Sequence, residues 1–219
     1  MKLYKRLVAC TLILTLSIIG APTGALVTVE NVKEVKAAGD SNIRYKHFLK
    51  TDGSVVKNNY GSGEQVVLKG VNAGGYMLQE MWMCPTQITT NVKDQTTILS
   101  TLTSRFGAEK ARNLIKTYEK NYWTDADFDN CVNLGINCIR LPIWYRNLVD
   151  ENDNWYPDAF ERIDWFVEEA GKHGIYVIID MHGAYGSQNG SDHSGVDGGS
   201  DKLGASKFFF GDEAASNQE

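Results

Sequence analysis

The sequence predicts an α/β protein, a (β/α)8 TIM barrel of which only about the first three βα units are present. Three short apolar runs with the character of strands lie at residues 65–72, 136–143 and 175–180, and helical patterns separate them. Short connections that contain glycine join these elements, and this alternation of strands and helices is typical of parallel βα units. Polar residues stand at or just beyond the ends of the runs: Asn72, Arg140 and His182. Barrel enzymes carry functional residues at these strand ends.

The competing architecture is a doubly wound sheet, which would carry a glycine-rich phosphate turn after its first strand. The turn from Asn72 to Tyr76 reads NAGGY and lacks the GxGxxG spacing, and no Walker motif occurs in the sequence. The barrel is therefore favoured.

The first 37 residues are predicted to be a signal peptide and leader. Three basic residues precede the apolar run LVACTLILTLSIIG, which is the order of a secretory signal. Cleavage after Ala25 or after Ala37 fits the pattern, and residues 38–219 then form the amino-terminal part of a catalytic barrel. Because the apolar run is short for a bilayer span, we expect a secreted protein with no membrane partner in its mature form.

The charge balance argues against nucleic acid as a partner. The formal net charge is −5, and removal of the basic leader makes it more negative. Phosphate neutralisation needs basic surface, so nucleic acid is excluded while neutral polymers remain allowed.

The cysteines that follow the leader are few and odd in number: Cys84, Cys131 and Cys138. Such a set is no disulfide framework in an exported chain of this size. We expect all of them to be small buried hydrophobic residues.

The predicted domain begins with a hairpin. Residues 43–57 alternate in polarity around Asp52-Gly53, a dipeptide typical of hairpin turns. Residues 65–72 then show the apolar density of a buried strand, which we interpret as the first core strand.

Helical spacing of apolar residues predicts helices at 94–106, 108–121, 125–134 and 158–173. Gly107 separates the first two, and Thr124 is placed to cap the third. Gly135 and Gly174 stand where helices commonly end. The last nine residues, 211–219, resemble the opening turn of a further helix.

Arg140 interrupts an apolar strand near its carboxyl end, where an unpaired guanidinium would carry a large desolvation penalty. We expect it to form a buried ion pair that fixes strand register, or to orient a catalytic carboxylate or a substrate oxygen. Asp180 and His182 are two residues apart on a strand and therefore point to the same face. His182 is placed to hydrogen-bond a ligand hydroxyl, with a structural histidine as the alternative.

The segment 183–206 is rich in glycine and has no apolar period, which is typical of a solvated loop. Asp180 and His182 can be drawn with Asp192 and His193 as a metal cluster. The flexible loop separates the two pairs, however, and no spacing typical of zinc or calcium is matched. We expect no metal site.

Aromatic residues concentrate near the predicted strand ends: Tyr76, Trp82, Trp144, Tyr145, Trp155 and Tyr185. Sugar rings pack their C–H faces on aromatic planes while amides and carboxylates bind the hydroxyls. Aromatic residues mixed with Asn and Gln therefore suit a polysaccharide cleft, although core packing explains part of the set.

Three segments carry a resemblance to a known family: GVNAGGYM at 70–77, FDNCVNLGINCIRLPIWY at 128–145 and DMHGAYGSQNG at 180–190. With these, the chain from about Gln65 onward resembles glycoside hydrolase family 5, the cellulase-like (β/α)8 enzymes. The last segment is similar to the HGAPGSQNG signature of the exo-β-1,3-glucanase branch, with Tyr185 where that branch has proline.

The resemblance implies retaining hydrolysis of O-glycosyl bonds in a β-glucan or cellulose-type polysaccharide, without a cofactor. It implies that Arg140 braces the nucleophile and that His182 contacts the sugar. Further substrate contacts are expected from Asn72, Tyr145, Tyr185, Gln188 and Asn189.

The family's two catalytic glutamates are not found in the sequence. The acid/base follows the fourth strand in an Asn-Glu-Pro motif, which does not occur here, and the nucleophile follows the seventh strand. A complete barrel needs about 250 residues. We therefore expect an amino-terminal fragment that is inactive by itself. The alternative is a non-catalytic carbohydrate-binding or surface protein derived from such an enzyme.

Overall fold

The computed structural model describes residues 48–84, 92–212 and 214–218. The predicted signal peptide and leader at 1–37 lie outside these ranges, as do residues 43–47 of the predicted hairpin. Within the described ranges, no helix is long and apolar enough to cross a membrane.

The predicted hairpin is confirmed in its described part. Strands β1 (Lys50–Asp52) and β2 (Val55–Lys57) pair antiparallel, with Asp52 opposite Val55. Gly53 in the turn has φ +60°, a conformation that glycine adopts without steric penalty. This residue therefore explains why the chain reverses here.

The prediction of one buried strand across residues 65–72 is wrong. Only the last three residues form a strand, β3 (Gly70–Asn72), and all three are exposed. The first two residues instead extend the hairpin, because Val66 N donates to Val56 O at 2.8 Å. The apolar run is therefore shared between two sheets. Val67, in its middle, is 60% exposed, and no described layer covers it.

The three parallel strands predicted from the sequence form one sheet. Strand β4 (Cys138–Trp144) lies between β3 and β5 (Tyr176–Gly183), and both pairings are parallel. Asn72 is opposite Arg140, and Arg140 is opposite Ile178. The carboxyl ends of the strands therefore lie at one edge of the sheet, where the predicted site residues stand.

Strand β5 differs from its prediction in length and in burial. It continues three residues beyond the predicted end at Asp180, so that His182 lies within the strand. Ile179 and Met181 are exposed, by 54% and 44%. No described layer packs against these side chains, whereas the side chains of β4 are buried apart from Arg140, which is half-buried.

The predicted helices are all present, with small shifts at their ends: α1 (Gln95–Phe106), α2 (Ala108–Tyr122), α3 (Asp125–Asn133), α4 (Glu161–Lys172) and the short α5 (Ala214–Gln218). Thr124 begins α3 in a capping box, in which Asp127 Oδ2 accepts from the Thr124 amide at 2.8 Å. Gly135 follows α3 with φ +72°, the left-handed conformation expected after a helix end.

The core lies where α3 and α4 pack against the sheet. Fully buried side chains from helix, strand and loop meet there: Tyr76, Phe128, Ile139, Leu141 and Phe166. The three described cysteines are free and buried, which confirms their prediction as small core residues.

Candidate functional site

The polar residues at the strand ends form one group, which we call the strand-end cluster: Asn72, Arg140, Asp180 and His182. The first two are opposite each other in the pairing of β3 with β4. The last two lie on β5 at i and i+2, so their side chains share a face, as predicted.

Asp180 is the acid that Arg140 was expected to need. Arg140 Nη2 lies 2.6 Å from Asp180 Oδ2 and 2.9 Å from His182 Nδ1. A longer contact of 3.5 Å joins Arg140 Nη1 to the Asn72 side-chain oxygen. The guanidinium therefore connects all members of the cluster and fixes the register of three strands.

His182 Nδ1 faces two members of the cluster. It lies 2.9 Å from Arg140 Nη2 and 3.0 Å from Asp180 Oδ2, so it accepts from the guanidinium in one tautomer and donates to the carboxylate in the other. Burial lowers the pKa of His182, and the neighbouring Arg140 lowers it further, while Asp180 raises it. The ring is therefore neutral at pH 7. No described residue hydrogen-bonds Nε2, which leaves this nitrogen able to hydrogen-bond a ligand hydroxyl, as donor or as acceptor according to the tautomer.

Glu80 is a neighbour of the cluster that the sequence analysis missed. Its carboxylate raises the pKa of His182, and it accepts a hydrogen bond from Trp82 Nε1 at 2.9 Å. The only signal in the sequence was its position a few residues after the first strand. Trp82 itself is 66% exposed.

Tyr145 and Tyr185 are brought together beside the cluster. Tyr145 immediately follows β4, and its ring centroid lies 4.9 Å from that of Tyr185. Both rings are half-buried, so part of each face is accessible to a ligand.

Gln188 does not project freely into a cleft. Its amide nitrogen donates to the His182 carbonyl, and its amide oxygen accepts from the Ala184 amide at 3.1 Å. Asn189 is exposed, but its Oδ1 accepts from the Ser191 amide at 3.0 Å and its Nδ2 lies 2.9 Å from His193 Nε2. Gln188 therefore holds the backbone beside His182, and Asn189 meets a ligand only with the hydrogen-bonding capacity that these contacts leave.

The expectation of a solvated loop at 183–206 is correct for residues 199–204, which are exposed, but most of the segment before them is buried or half-buried. Ser187 and Ser194 are almost fully buried and share a hydrogen bond of 2.5 Å. The Gly195 carbonyl accepts from the Thr96 hydroxyl at 2.7 Å, which anchors the loop on α1. Hydrogen bonds of small polar side chains hold this segment, so its lack of an apolar period did not report exposure.

The aromatic residues predicted near the cleft divide into two groups. Tyr76 and Trp144 are buried in the core at 0% and 3% exposure and cannot receive a sugar ring. Trp155 is exposed, but it stacks on Phe160 at 5.6 Å, just before α4. Only Tyr145, Tyr185 and Trp82 remain as accessible rings among the six.

The site is suited to binding neutral hydroxylated ligands. It offers the His182 Nε2, an exposed amide and partly exposed aromatic rings, and Asp180 and Arg140 largely neutralise each other. In the described part of the chain, no three His, Cys, Asp or Glu side chains are grouped to hold a metal ion. Hydroxyl hydrogen bonds combined with ring stacking are the usual means of sugar recognition.

These features define a class, a parallel α/β protein with a polar and aromatic site at the carboxyl ends of its strands. Residues 103–210 match the sequence model of the cellulase family, glycosyl hydrolase family 5. This part of the chain is thus similar to that family of glycosidases, whose fold is the TIM barrel.

Individual relatives agree with this assignment. "Probable glucan 1,3-beta-glucosidase A" of Aspergillus fumigatus is 35% identical over 133 residues, which are 60% of this chain and 32% of the relative. A protein named beta-xylosidase from Phanerodontia chrysosporium is 33% identical over 149 residues, 67% of this chain and 30% of that protein. The chain thus spans about a third of the length of these curated relatives.

Among solved structures, the chain is similar to a rutinosidase from Aspergillus niger. The sequences are 22% identical, the TM-score is 0.49, and the match covers 59% of this chain and 37% of the rutinosidase.

Proposed function

We propose that the chain forms part of the sugar-binding cleft of an exported β-glucan hydrolase of family 5. The main observation is the ring of His182, which Arg140 and Asp180 hold at Nδ1 and whose Nε2 has no hydrogen-bond partner among the described residues. In this proposal His182 Nε2 hydrogen-bonds a sugar hydroxyl, and Arg140 braces the nucleophile of the complete site. The other sugar contacts come from Asn72, Tyr145, Tyr185 and Asn189. Gln188 does not contact the sugar but holds the backbone beside His182 in place.

The reaction would be retaining hydrolysis of O-glycosyl bonds, with no cofactor. It needs two carboxylates roughly 5 Å apart, one as acid/base and one as nucleophile. We propose that both lie outside these 219 residues and that β3, β4 and β5 are the first three strands of the barrel. Residues 38–219 would then bind sugar without turnover, following a signal peptide at 1–37.

Oligosaccharide binding to the chain tests this proposal. We expect laminari-oligosaccharides to bind and His182→Gln to weaken binding about tenfold, as expected for the loss of one hydrogen bond to a buried donor. His173→Gln is the matched control, because His173 packs on Phe128 on the helical side of the sheet. If the unsubstituted chain shows no calorimetric signal with any β-glucan or xylan oligosaccharide, the proposal is wrong.

The two named relatives suggest different sugars, and the same titration distinguishes them. A glucosyl unit carries a hydroxymethyl group that a xylosyl unit lacks. Given the DMHGAYGSQNG segment, we propose glucan, and we expect laminari-oligosaccharides to bind more tightly than xylo-oligosaccharides of equal length. Tighter binding of the xylo-oligosaccharides would instead indicate xylan as the substrate.

The absence of an Asn-Glu-Pro motif in the sequence gives a second candidate, a non-catalytic carbohydrate-binding protein. Both candidates predict binding, so the coding sequence beyond the codon for Glu219 decides between them. A further strand that ends in Asn-Glu-Pro supports the hydrolase, and a stop codon in its place supports the binding protein.

A further inference from the structure

Tyr185 is tied to a distant loop by its hydroxyl group. The hydroxyl donates to Asp153 Oδ2 at 2.6 Å, across 32 residues of sequence. Asp153 belongs to the loop that joins β4 to α4, whereas Tyr185 is the second residue after β5. The contact therefore links the loops after two neighbouring strands.

The other carboxylate oxygen of Asp153 closes a ring of contacts. Oδ1 accepts from Arg146 Nη1 at 3.0 Å, and the Arg146 guanidinium lies 4.8 Å from the centre of the Tyr145 ring. The rings of Tyr145 and Tyr185 then meet at 4.9 Å. Each of the four side chains thus contacts the next, and none is held by one neighbour alone.

The backbone holds Asp153 in place independently of the two tyrosines. Its φ is +62°, a conformation that is uncommon outside glycine but tolerated by aspartate. Asp150 supports the turn by accepting from the amides of Asn152 and Asn154 at 2.8 and 2.9 Å. The Asp153 carboxylate is therefore presented by a preformed turn.

From this geometry we propose that Asp153 and Arg146 are positioning residues that set Tyr185 against Tyr145 as an aromatic wall for a sugar ring beside the one bound at His182. The inference rests on the proposed function. The Tyr185 hydroxyl is occupied by Asp153, so recognition uses ring faces, which suit the C–H face of a pyranose. The exo-β-1,3-glucanase branch has proline at the position of Tyr185, which makes the wall a feature of this chain.

The wall adds a second binding position to the strand-end cluster. Gln188 links the two positions, because its amide contacts both the His182 carbonyl and the Ala184 amide next to Tyr185. A monosaccharide needs only the cluster, whereas a disaccharide or longer glucan also covers the wall. The contribution of Asp153 should therefore appear only with the longer ligands.

The test compares Asp153→Ala, Asp153→Asn and Tyr185→Ala in titrations with glucose and with laminaritriose. We expect Asp153→Ala and Tyr185→Ala to weaken laminaritriose binding about 3- to 10-fold, the range of one aromatic contact, and Asp153→Ala to leave glucose binding unchanged. Asp153→Asn keeps an oxygen acceptor and should restore most of the affinity. Asn152→Ala, on the same turn, is the control and should bind as the unsubstituted chain does.

A spectroscopic measurement checks the contact without any sugar. In protein labelled with 3-fluorotyrosine, the Tyr185 resonance is identified by its absence from Tyr185→Phe, and it should shift in Asp153→Ala but not in Asn152→Ala. Unchanged laminaritriose affinity in Asp153→Ala, or an unmoved Tyr185 resonance, overturns the positioning role alone. Absence of laminaritriose binding in the unsubstituted chain overturns the proposed function and the wall together.

Discussion

The guanidinium of Arg140 lies 2.6 Å from the carboxylate of Asp180, across neighbouring parallel strands. The sequence allowed two roles for this arginine, a structural ion pair or an orienting group in a site. The geometry joins these roles, because the nitrogen that pairs with Asp180 also contacts His182 Nδ1, and Asp180 contacts the same ring nitrogen at 3.0 Å. One ion pair thereby fixes strand register and orients the histidine ring, with Nε2 directed away from it.

Removing the charge of Asp180 should destabilise the sheet. We expect Asp180→Asn to lower the free energy of unfolding by about 1–3 kcal/mol, because Arg140 is left without an anion in a partly buried position. Urea denaturation measures the change. Asp52→Asn is the control, since the Lys57–Asp52 pair has the same 2.6 Å separation but lies at the surface. It should change stability by less than about 1 kcal/mol, and equal losses in both variants would contradict the argument.

The stability of the protein should depend on the ionisation of Glu119. This carboxyl is only 6% exposed and lines a cavity of about 450 Å³ between α1, α2 and the loop after β4. Burial raises its pKa to about 7, although Arg162, Arg112 and Lys116 oppose the shift. The folded state therefore binds a proton more tightly than the unfolded state, whose pKa is near 4.5. Stability is then lost as pH rises from about 4.5 through 7.

The isosteric variant Glu119→Gln isolates this effect. Gln keeps the oxygen that accepts from Asn147 Nδ2 at 3.2 Å but has no charge to bury. We expect the variant to exceed the unsubstituted chain by about 2–3 kcal/mol at pH 8 and to match it near pH 4.5, by urea denaturation at each pH. His182 has a lowered pKa, so its protonation below its ordinary pKa of 6.5 destabilises the folded state. This contribution is the same in both proteins and cancels in the comparison. A stability difference that does not vary with pH would refute the prediction.

Local patterns in the sequence predicted the elements well, because the signals for helices and turns act over a few residues. Gly107 and Thr124 marked helix boundaries that the structure confirms. The prediction of one buried strand at 65–72 was wrong because it too used only local pattern, and apolar density does not tell which partner a strand pairs with. Val66 pairs with the hairpin rather than with β4, and nothing in its own neighbourhood signals that choice.

The part of the site that the sequence predicted is the part in which the direction of each side chain follows from the alternation along a strand. Asp180 and His182 share a face because strands have a period of two, and Arg140 needed an acid on physical grounds. Glu80 and Asp153 were missed because each meets its partner through the path of a loop. Loop paths depend on hydrogen bonds such as those of Asp150, which are not visible as a sequence period.

Arg162 should be one of the most important residues for stability, although the sequence shows it only as a charged position on α4. Its Nη2 donates to the carbonyls of Glu119 and Trp123 at 3.0 and 2.6 Å, and its Nε donates to the Tyr76 hydroxyl. Its guanidinium also lies 3.6 Å from the Trp165 ring centre. A lysine ammonium cannot reproduce this planar set of contacts.

We therefore expect Arg162→Lys to lower the free energy of unfolding by about 2–4 kcal/mol, because buried carbonyls lose their donors. Chemical denaturation followed by tryptophan fluorescence measures it. Arg105→Lys, at an exposed position in the last turn of α1, is the matched substitution and should change stability by less than about 0.5 kcal/mol. If the two variants are equally stable, Arg162 does not organise the core.

Gly195 and Gly135 separate steric contact from backbone strain, since both are left-handed, with φ of +86° and +72°. A Cβ on Gly195 would lie 2.3 Å from Trp144 Nε1, whereas nothing lies within 4 Å of a Cβ on Gly135. Gly135→Ala should therefore cost about 1 kcal/mol, from the left-handed conformation alone. Gly195→Ala should cost about 2–4 kcal/mol and shift the tryptophan emission, because Trp144 must move within a packed site. Equal losses, measured by urea denaturation, would mean that the loop at 195 yields before the indole does, and that this loop is less firmly held than its bond to Thr96 indicates.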